Sequence, residues 1–210
     1  MATKIAFFAD KDGFHDEQFE YQFYPGFALA QKRKNITAIH ESITRRHPDA
    51  KILEVSRRSD KPIGTKLSAF NLTLDGKPVE CIFQSSKVFI NGDHFPFLID
   101  ALPGEAKKYV KEHSSSPLEC FEYEGGRYPL SPRSAFYDYI YIRALNQHPE
   151  IADELMEYDA FTDVEFNQNA SINCQARSCA IFVYLKRSGS YDSYISSFEE
   201  FASLYGFSDL

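Results

Sequence analysis

The amino-acid sequence predicts an α+β fold, a single helix-rich domain with a small β component. The first observation is that helical patterns outnumber strand patterns and do not alternate strictly with them, unlike the pattern of a doubly wound sheet. The second is the length of 210 residues, which suits one generous domain and contains no composition break that marks a linker. The third is the content of 43% hydrophobic and 25% charged residues, which is typical of a chain that buries a core.

Hydrophobic periodicity divides the chain into its predicted elements. Alternation with period two predicts strands, and apolar residues three and four apart predict helices. In order along the chain, the predicted elements are a strand near 4–9, a polar loop through residue 22, a helix over about 36–47, a strand over 50–56, and helices over about 79–90, 103–113, 134–148 and 149–158, followed by a strand over 161–166 and helices over 174–187 and 194–206.

Capping and turn residues mark several of these boundaries. Asn35 or Thr37 suits the N-cap of the first helix. The Asp-Gly pair at 75–76 predicts a tight hairpin turn before the helix over 79–90. Pro149 is typical of a first helical position, and Gly189 is typical of the residue that follows a helix.

Composition and charge exclude several classes of function. No apolar run approaches the roughly 18 residues of a membrane helix, and the N-terminus lacks the pattern of a signal peptide, so the sequence predicts a cytoplasmic protein. The net charge of −7 argues against a protein that coats nucleic acid, and the basic clusters at 31–34, 44–46, 56–61 and 106–111 are typical of solvated faces. The four cysteines include no C-x-x-C pair, so no metal site and no disulfide framework is expected.

The helix over 79–90 places Glu80, Gln84 and Lys87 on one narrow polar stripe. One interpretation is the solvated face of a surface helix. The other is the wall of a pocket, which small neighbours such as Ser85 and Ser86 favour over the Lys and Glu usual beside a solvated stripe. Glu80 and Lys87 lie two turns apart, about 10 Å along an ideal helix, so both can reach one extended ligand.

Several segments together resemble the NADAR (YbiA-like) family. "DGKPVECIFQSSKVF" is similar to its signature, in which a DGK turn precedes E-x-x-F-Q-x-x-K, and Glu80, Phe83, Gln84 and Lys87 match in order. "LSAFNL", "ALPGEAKK" and "SINCQARSCAIFVYL" resemble further family segments, whereas "FNQNASIN" stands where the family has D-x-x-W-G. The resemblance covers about 50–187 of a domain predicted to span 1–210, with 1–49 and 188–210 as subgroup extensions. The amino-acid sequence of these segments most resembles one subgroup, the NADAR antitoxins encoded beside DarT-type toxins. Those toxins ADP-ribosylate guanine in DNA.

The resemblance implies a hydrolase that cleaves the N-glycosidic bond of ADP-ribosyl-guanine in single-stranded or flipped DNA. The product would be ADP-ribose, the enzyme would need no cofactor and no metal, and it would act as the antitoxin of a DarT-type toxin. Two alternatives stay open: a module that binds ADP-ribose or NAD without cleaving it, and an antitoxin that blocks its toxin by direct contact.

The resemblance also implies roles for individual residues. Glu80 is expected to be a general acid/base, with complementing the helix dipole as its structural alternative. Lys87 is expected to pair with phosphate or carboxylate, or to form a Schiff base if burial lowers its pKa. Substrate binding is implied for Gln84, Asn71, Phe70, Ser56, Arg57, Arg58, Asn173 and Gln175, with helix capping as the alternative for the last two. Tyr137, Tyr139 and Tyr141 are expected to pack in the core or to stack on a base.

Overall fold

The computed structural model describes residues 1–167 and 173–206, and the predicted α+β class is confirmed. The chain folds into two compact units, the first made of residues 1–68 and 148–192 and the second of residues 69–147 and those from 193 onward. The strands are β1 (Ala2–Ala9), β2 (Phe14–Tyr21), β3 (Ile52–Glu54), β4 (Thr73–Leu74), β5 (Lys77–Pro78), β6 (Lys87–Phe89), β7 (Leu118–Tyr123), β8 (Gly126–Tyr128) and β9 (Ala160–Thr162). The helices are α1 (Leu29–Arg46), α2 (Pro62–Lys66), α3 (Val79–Ser85), α4 (Pro103–His113), α5 (Ala135–Asn146), α6 (Pro149–Leu155), α7 (Gln175–Arg187), α8 (Tyr191–Ile195) and α9 (Phe198–Ala202).

The first unit is built on a four-stranded sheet in the order β2-β1-β9-β3. The β1–β2 and β1–β9 pairs are antiparallel, whereas β3 and β9 are parallel. Phe8 and Phe19 from the hairpin pack with Ile39 and Ile43 of α1, which makes a core on one face of the sheet. Because β3 and β9 are parallel, they end at the same edge of the sheet. Each strand is followed there by a loop that carries charged residues.

The prediction of a polar loop through residue 22 was wrong, because this stretch contains β2. Its "FHDEQFEY" sequence is mostly polar and buries only Phe19 and Tyr21, as expected of an edge strand with one solvated face. The turn before it is held by Asp10, whose carboxylate accepts from the backbone N–H groups of Asp12 and Gly13.

The first helix was predicted to begin too late. It begins at Leu29, its N-cap Ala28 makes no side-chain capping bond, and Asn35 lies inside the helix as a buried residue. The amide of Asn35 instead bonds the backbone of Tyr24. A tertiary contact therefore uses the side chain that the sequence pattern assigned to a cap.

The second unit contains the β4–β5 hairpin around Asp75 and Gly76, as predicted, and a three-stranded sheet in the order β6-β7-β8 that was not predicted. The helix predicted over 79–90 ends at Ser85, so that part of the prediction was wrong. The hydroxyls of Ser85 and Ser86 both donate to the carbonyl of Ile82, which competes with the helical backbone bonds. Lys87 then enters β6 and pairs with Phe121 of β7.

The last predicted helix is divided into α8 and α9. Ser197 is extended between them and caps α9, since its side chain accepts from the backbone N–H of Glu200. Helix α4 has the predicted bounds, and α5, α6 and α7 lie within two or three residues of theirs. In the described ranges, 1–167 and 173–206, none of the helices combines the length and apolar character that a bilayer crossing needs.

Candidate active site

Helix α3 is buried on every side. All seven of its residues are buried, including Glu80, which is 6% exposed, and Gln84, which is 4% exposed. The solvated-face interpretation of the polar stripe was therefore wrong. A buried carboxylate and a buried amide require partners within the protein, because an unpaired polar group in the interior is destabilising.

The start of α3 is fixed by the segment that precedes it. The backbone N–H of Val79 donates to the carbonyl of Leu72, and that of Glu80 donates to the carbonyl of Ala69. Two N–H groups that a helix terminus leaves unpaired are satisfied in this way. Glu80 lies in the first turn, where the helix dipole favours a negative charge. The same bonds place Phe70 and Asn71, two predicted binding residues, next to the start of α3 in the fold.

Gln84 connects the carboxylate to the ammonium. Its Nε2 donates to Oε1 of Glu80 at 2.8 Å, and its Oε1 accepts from Nζ of Lys87 at 2.8 Å. Only this orientation of the amide satisfies both neighbours, since the reverse would place an NH2 group against an ammonium and a carbonyl against a carboxylate. The three predicted residues thus form one hydrogen-bonded chain, although Lys87 lies on a strand rather than on the helix.

Lys87 is a half-buried cation in an aromatic environment. Its Nζ lies 4.6 Å from the centre of the Phe83 ring. Burial lowers the pKa of Lys87 from 10.5 to about 8; the nearby Glu80 carboxylate raises it in part, and the Lys107 ammonium lowers it further. The neutral, nucleophilic amine is therefore well populated near pH 8, where a lysine of ordinary pKa is almost entirely charged.

Lys107 of α4 belongs to the same site and was missed by the sequence analysis. Its Nζ lies 3.8 Å from Oε1 of Glu80 and 5.9 Å from the centre of the Phe70 ring, with 62% of the side chain exposed. In the sequence, Lys107 is one member of the basic cluster at 106–111, which is typical of a solvated helix face. No pattern distinguishes it from Lys108 or Lys111, because only the packing of α4 against α3 brings it to Glu80.

The remaining predicted residues of the second unit differ in exposure. Phe70 is half-buried beneath the Lys107 ammonium, and Asn71 is exposed. In α5, Tyr137 is 5% exposed and Tyr141 is fully buried, so both pack in the core as the first of their two interpretations expected. Tyr139 is also buried and packs against Phe198 and Phe201 of α9.

In the first unit, the predicted arginines are paired with one acid. Nε of Arg58 lies 3.2 Å from Oε1 of Glu165, and Nε of Arg57 lies 3.9 Å from its Oε2. Both pairs are partly solvated, so their contribution to stability is small. Their geometric consequence is that two guanidinium groups are held beside each other by a single carboxylate.

Ser56 and Gln175 are bound to a pair of buried acids, Glu54 and Asp163, that the sequence analysis did not identify. The Ser56 hydroxyl donates to Oε1 of Glu54 at 2.6 Å. Nε2 of Gln175 donates to Oδ2 of Asp163 at 3.0 Å and to the carbonyl of Val55 at 3.1 Å. Since β3 and β9 are parallel neighbours, these side chains join the loops that follow the two strands. The sequence signal that could have identified Glu54 is an acidic residue at the end of a short apolar strand, Ile52–Glu54.

Burial raises the pKa of Glu54 to about 7, with the Asp163 charge adding to the effect. Burial likewise raises the pKa of Asp163, whereas its bond from Gln175 and the nearby Lys4 ammonium lower it. His40 contributes a hydrogen bond of 2.9 Å to the Thr162 hydroxyl, which in turn donates to Oε2 of Glu54 at 2.7 Å. Burial also lowers the pKa of His40 to about 4, so this ring is neutral.

Asn173, the last predicted residue, is half-buried just before α7. The N-cap of α7 is Cys174, which makes no side-chain capping bond, and Gln175 is the first residue of the helix. Of the "FNQNASIN" segment, residues 168–172 lie outside the described residues. All four cysteines of the chain are buried as free thiols.

Comparison with known proteins gives one family. A family model described as the DarT1-associated NADAR antitoxin matches residues 2–209, nearly the whole chain. No curated protein matches the sequence.

Proposed function

The chain belongs to the family of DarT1-associated NADAR antitoxins, and from this premise we propose that it hydrolyses ADP-ribosyl-guanine in DNA, in the cytoplasm. The reaction cleaves the N-glycosidic bond between the ribose and the base, releases ADP-ribose and leaves an intact guanine. The proposal rests on one observation above all, the hydrogen-bonded chain Glu80–Gln84–Lys87, which joins a buried carboxylate to an amine of lowered pKa.

A glycosidic cleavage needs a carboxyl group that moves a proton and a group that stabilises or captures the positive anomeric carbon. We assign the first role to Glu80. Gln84 and Lys107 both approach its Oε1, so Oε2, which neither of these contacts uses, is the oxygen assigned to the transferred proton. Glu80 would protonate the departing guanine nitrogen and recover a proton from the attacking nucleophile, which is either water or the Lys87 amine.

Lys87 has two chemically distinct roles open to it. As an ammonium it would hold a phosphate or a carboxylate. As a neutral amine it would attack the anomeric carbon: the new C–N bond forms, the bond to guanine breaks with its electron pair on the guanine nitrogen, that nitrogen takes the Glu80 proton, and the carboxylate takes the proton lost by the amine. The ribose ring would then open, since the C1–O4′ bond breaks and the remaining proton of the new amine moves to the ring oxygen, which leaves a Schiff base. One water then releases ADP-ribose and restores the amine. The lowered pKa of Lys87 supports the second role.

We propose that the other predicted residues hold the ligand. Gln84, Phe70 and Asn71 belong to the unit that carries Glu80, and they offer an amide, a ring and a second amide. Arg57 and Arg58 would hold the pyrophosphate, which would replace Glu165 as their anionic partner.

Ser56, Asn173 and Gln175 complete this proposed set. The bonds of Ser56 to Glu54 and of Gln175 to Asp163 would fix the loops from which the arginines project.

The test is to incubate the protein with an oligonucleotide that carries one ADP-ribosylated guanine and to measure released ADP-ribose by chromatography. Wild type should release ADP-ribose together with an unmodified oligonucleotide, and Glu80→Gln should bind the substrate without releasing product. Binding without release by wild type would refute hydrolysis and leave a binding module. Protection of toxin-expressing cells by Glu80→Gln would refute the catalytic antitoxin and favour direct contact with the toxin.

A further inference from the structure

The segment between β2 and α1 displays aromatic rings to solvent. Residues 22–30 are all exposed, and they include Phe23 at 47%, Tyr24 at 37% and Phe27 at 93% exposure. Three exposed aromatic rings within five residues are unusual on a protein surface, where apolar groups normally occur singly. Burial in the core does not explain why the chain carries aromatic residues here.

The conformation of this segment is fixed rather than loose. Asn35 is 2% exposed, and its Oδ1 accepts from the backbone N–H of Tyr24 at 2.8 Å. Its Nδ2 donates to the carbonyl of Tyr24 at 2.8 Å and to that of Gln31 at 3.1 Å. The ring of Phe23 also packs edge-on against Tyr21, with centroids 6.4 Å apart. A ligand that contacts the rings therefore meets a surface that is already ordered, which lowers the entropy lost on binding.

Positive charge follows directly after the rings. Lys32, Arg33 and Lys34 follow the first turn of α1, which contains no acid. No Asp or Glu occurs from residue 21 to residue 40, in a chain of net charge −7. Nζ of Lys34 lies 5.9 Å from the centre of the Tyr24 ring, so charge and rings occupy one surface. A positively charged surface in a chain of net negative charge suits an anionic partner.

We propose that this aromatic-basic segment, residues 22–34, binds the nucleic-acid strand that carries the modified guanine. Phe27 and Phe23 offer faces on which unpaired bases stack, and Arg33 and Lys34 neutralise the phosphates of the same strand. Exposed rings interleaved with cations are the pattern of sequence-tolerant single-strand binding. The inference rests on the proposed function in taking DNA as the strand, because the substrate base must be unpaired to reach a buried carboxylate.

The test measures binding of a fluorescein-labelled, unmodified 12-nucleotide DNA strand by fluorescence anisotropy. Stacking contributes about 1–3 kcal/mol per base, so Phe27→Ser should weaken binding by about 5- to 150-fold. Phe97→Ser is the matched control, since Phe97 is 57% exposed in the other unit. Because Phe27 is 93% exposed, Phe27→Ser should not alter the melting temperature, whereas the Phe97 ring also packs against Tyr109, so the melting temperature of Phe97→Ser is measured as well. Equal affinity of Phe27→Ser and wild type would overturn the proposal.

The charge contribution has its own readout. Arg33→Gln with Lys34→Gln should reduce the slope of log affinity against log salt by about 0.7 for each lost cation. Lys108→Gln with Lys111→Gln removes the same charge from α4 and should leave the slope near that of wild type. An unchanged slope in the first pair, or equal changes in both pairs, would show that the segment does not meet the phosphates.

Two substrates separate this inference from the proposed function. Phe27→Ser should raise the KM for an ADP-ribosylated oligonucleotide while leaving turnover of ADP-ribosyl-guanosine unchanged, because the nucleoside carries no flanking strand. If wild type cleaved neither substrate, the proposed function would fail and the anisotropy measurement would still decide this one. If Phe27→Ser lost affinity for the toxin and kept its affinity for DNA, the segment would be a protein interface and the inference would be wrong.

Discussion

Both units bury a glutamate, and the two sites differ in what surrounds the carboxyl group. Glu54 is 1% exposed, and three groups donate to it: the Ser56 and Thr162 hydroxyls and the backbone N–H of Val164. Glu80 is 6% exposed, and its Oε1 meets the Gln84 amide and the Lys107 ammonium. The first carboxyl group is enclosed by neutral donors, and the second lies at the end of a chain of charged and polar side chains.

The two carboxyl groups are therefore distinguished by their partners and not by burial. Burial raises the pKa of Glu54 to about 7, yet its partners are fixed groups of strands and loops, which suits a group that holds two segments together. Near Glu80, the Lys87 side chain is half-buried and the Lys107 side chain is exposed, so a ligand entering from solvent could replace their present contacts. We therefore expect substitutions at Glu80 to affect chemistry and substitutions at Glu54 to affect stability.

The largest effect is expected for Glu80→Gln. The amide keeps the size of the side chain and cannot transfer the proton, so kcat should fall by about 10²- to 10⁴-fold. The measurement is single-turnover release of ADP-ribose, with the melting temperature and product binding measured in parallel. A variant that kept a tenth or more of wild-type kcat would show that Glu80 does not move the proton.

Lys87→Arg should lower kcat by at least about 100-fold while preserving ADP-ribose binding, because a guanidinium is always charged and forms no imine. In wild type, kcat/KM should rise with pH and level off above about 8, since the neutral amine is the reactive form and its pKa is lowered to about 8.

Lys107→Arg is the matched control for this change, as it also replaces a lysine ammonium by a guanidinium and should retain turnover. Borohydride added during turnover should link ADP-ribose to wild type. If kcat/KM instead fell with rising pH, and Lys87→Arg remained active, the role of Lys87 would be electrostatic.

Glu54→Gln should lower the free energy of unfolding by about 1–3 kcal/mol, because its NH2 group would face groups that donate hydrogen bonds. The loss should depend on pH. The folded protein holds the Glu54 proton up to about pH 7 and the unfolded chain releases it near 4.5, so the wild-type contribution is full below 4.5 and declines as the pH rises to 7.

The gap between wild type and Glu54→Gln, measured by urea unfolding, should therefore narrow from pH 5 to pH 8. A Glu54→Gln variant with wild-type stability and no cleavage activity would reverse the assignment of the two glutamates.

The smallest effect is expected for Lys107→Gln. This side chain is 62% exposed, so its ion pair with Glu80 is weak, and a change of a few fold in kcat/KM is expected. Loss of its positive charge should raise the pKa of Lys87 and shift the pH profile of kcat/KM to higher pH. Lys108→Gln, which removes the neighbouring charge, should leave the pH profile in place.

Local sequence signals predicted the elements whose boundaries depend on the chain itself. The charged helix α4 has its predicted bounds, and the Asp75–Gly76 turn forms the expected hairpin, since a left-handed pair of residues is encoded locally. The strands β2, β7 and β8 were missed because β2 is mostly polar, β7 is short and β8 has only three residues, so that pairing with a neighbour is what makes each of them a strand. The end of α3 was misplaced for the same reason, as β6 competes for Lys87.

The sequence by itself determined the α+β class, the family resemblance and the identity of the Glu80, Gln84 and Lys87 group, because spacing along a short segment is preserved whatever surrounds it. Tertiary structure decided that α3 is buried, that Gln84 bridges carboxylate and amine, and that Lys107 joins them. It also paired Glu54 with Asp163 across parallel strands. Burial and pKa depend on atoms contributed by residues far apart in the chain, and no local pattern specifies which of them will meet.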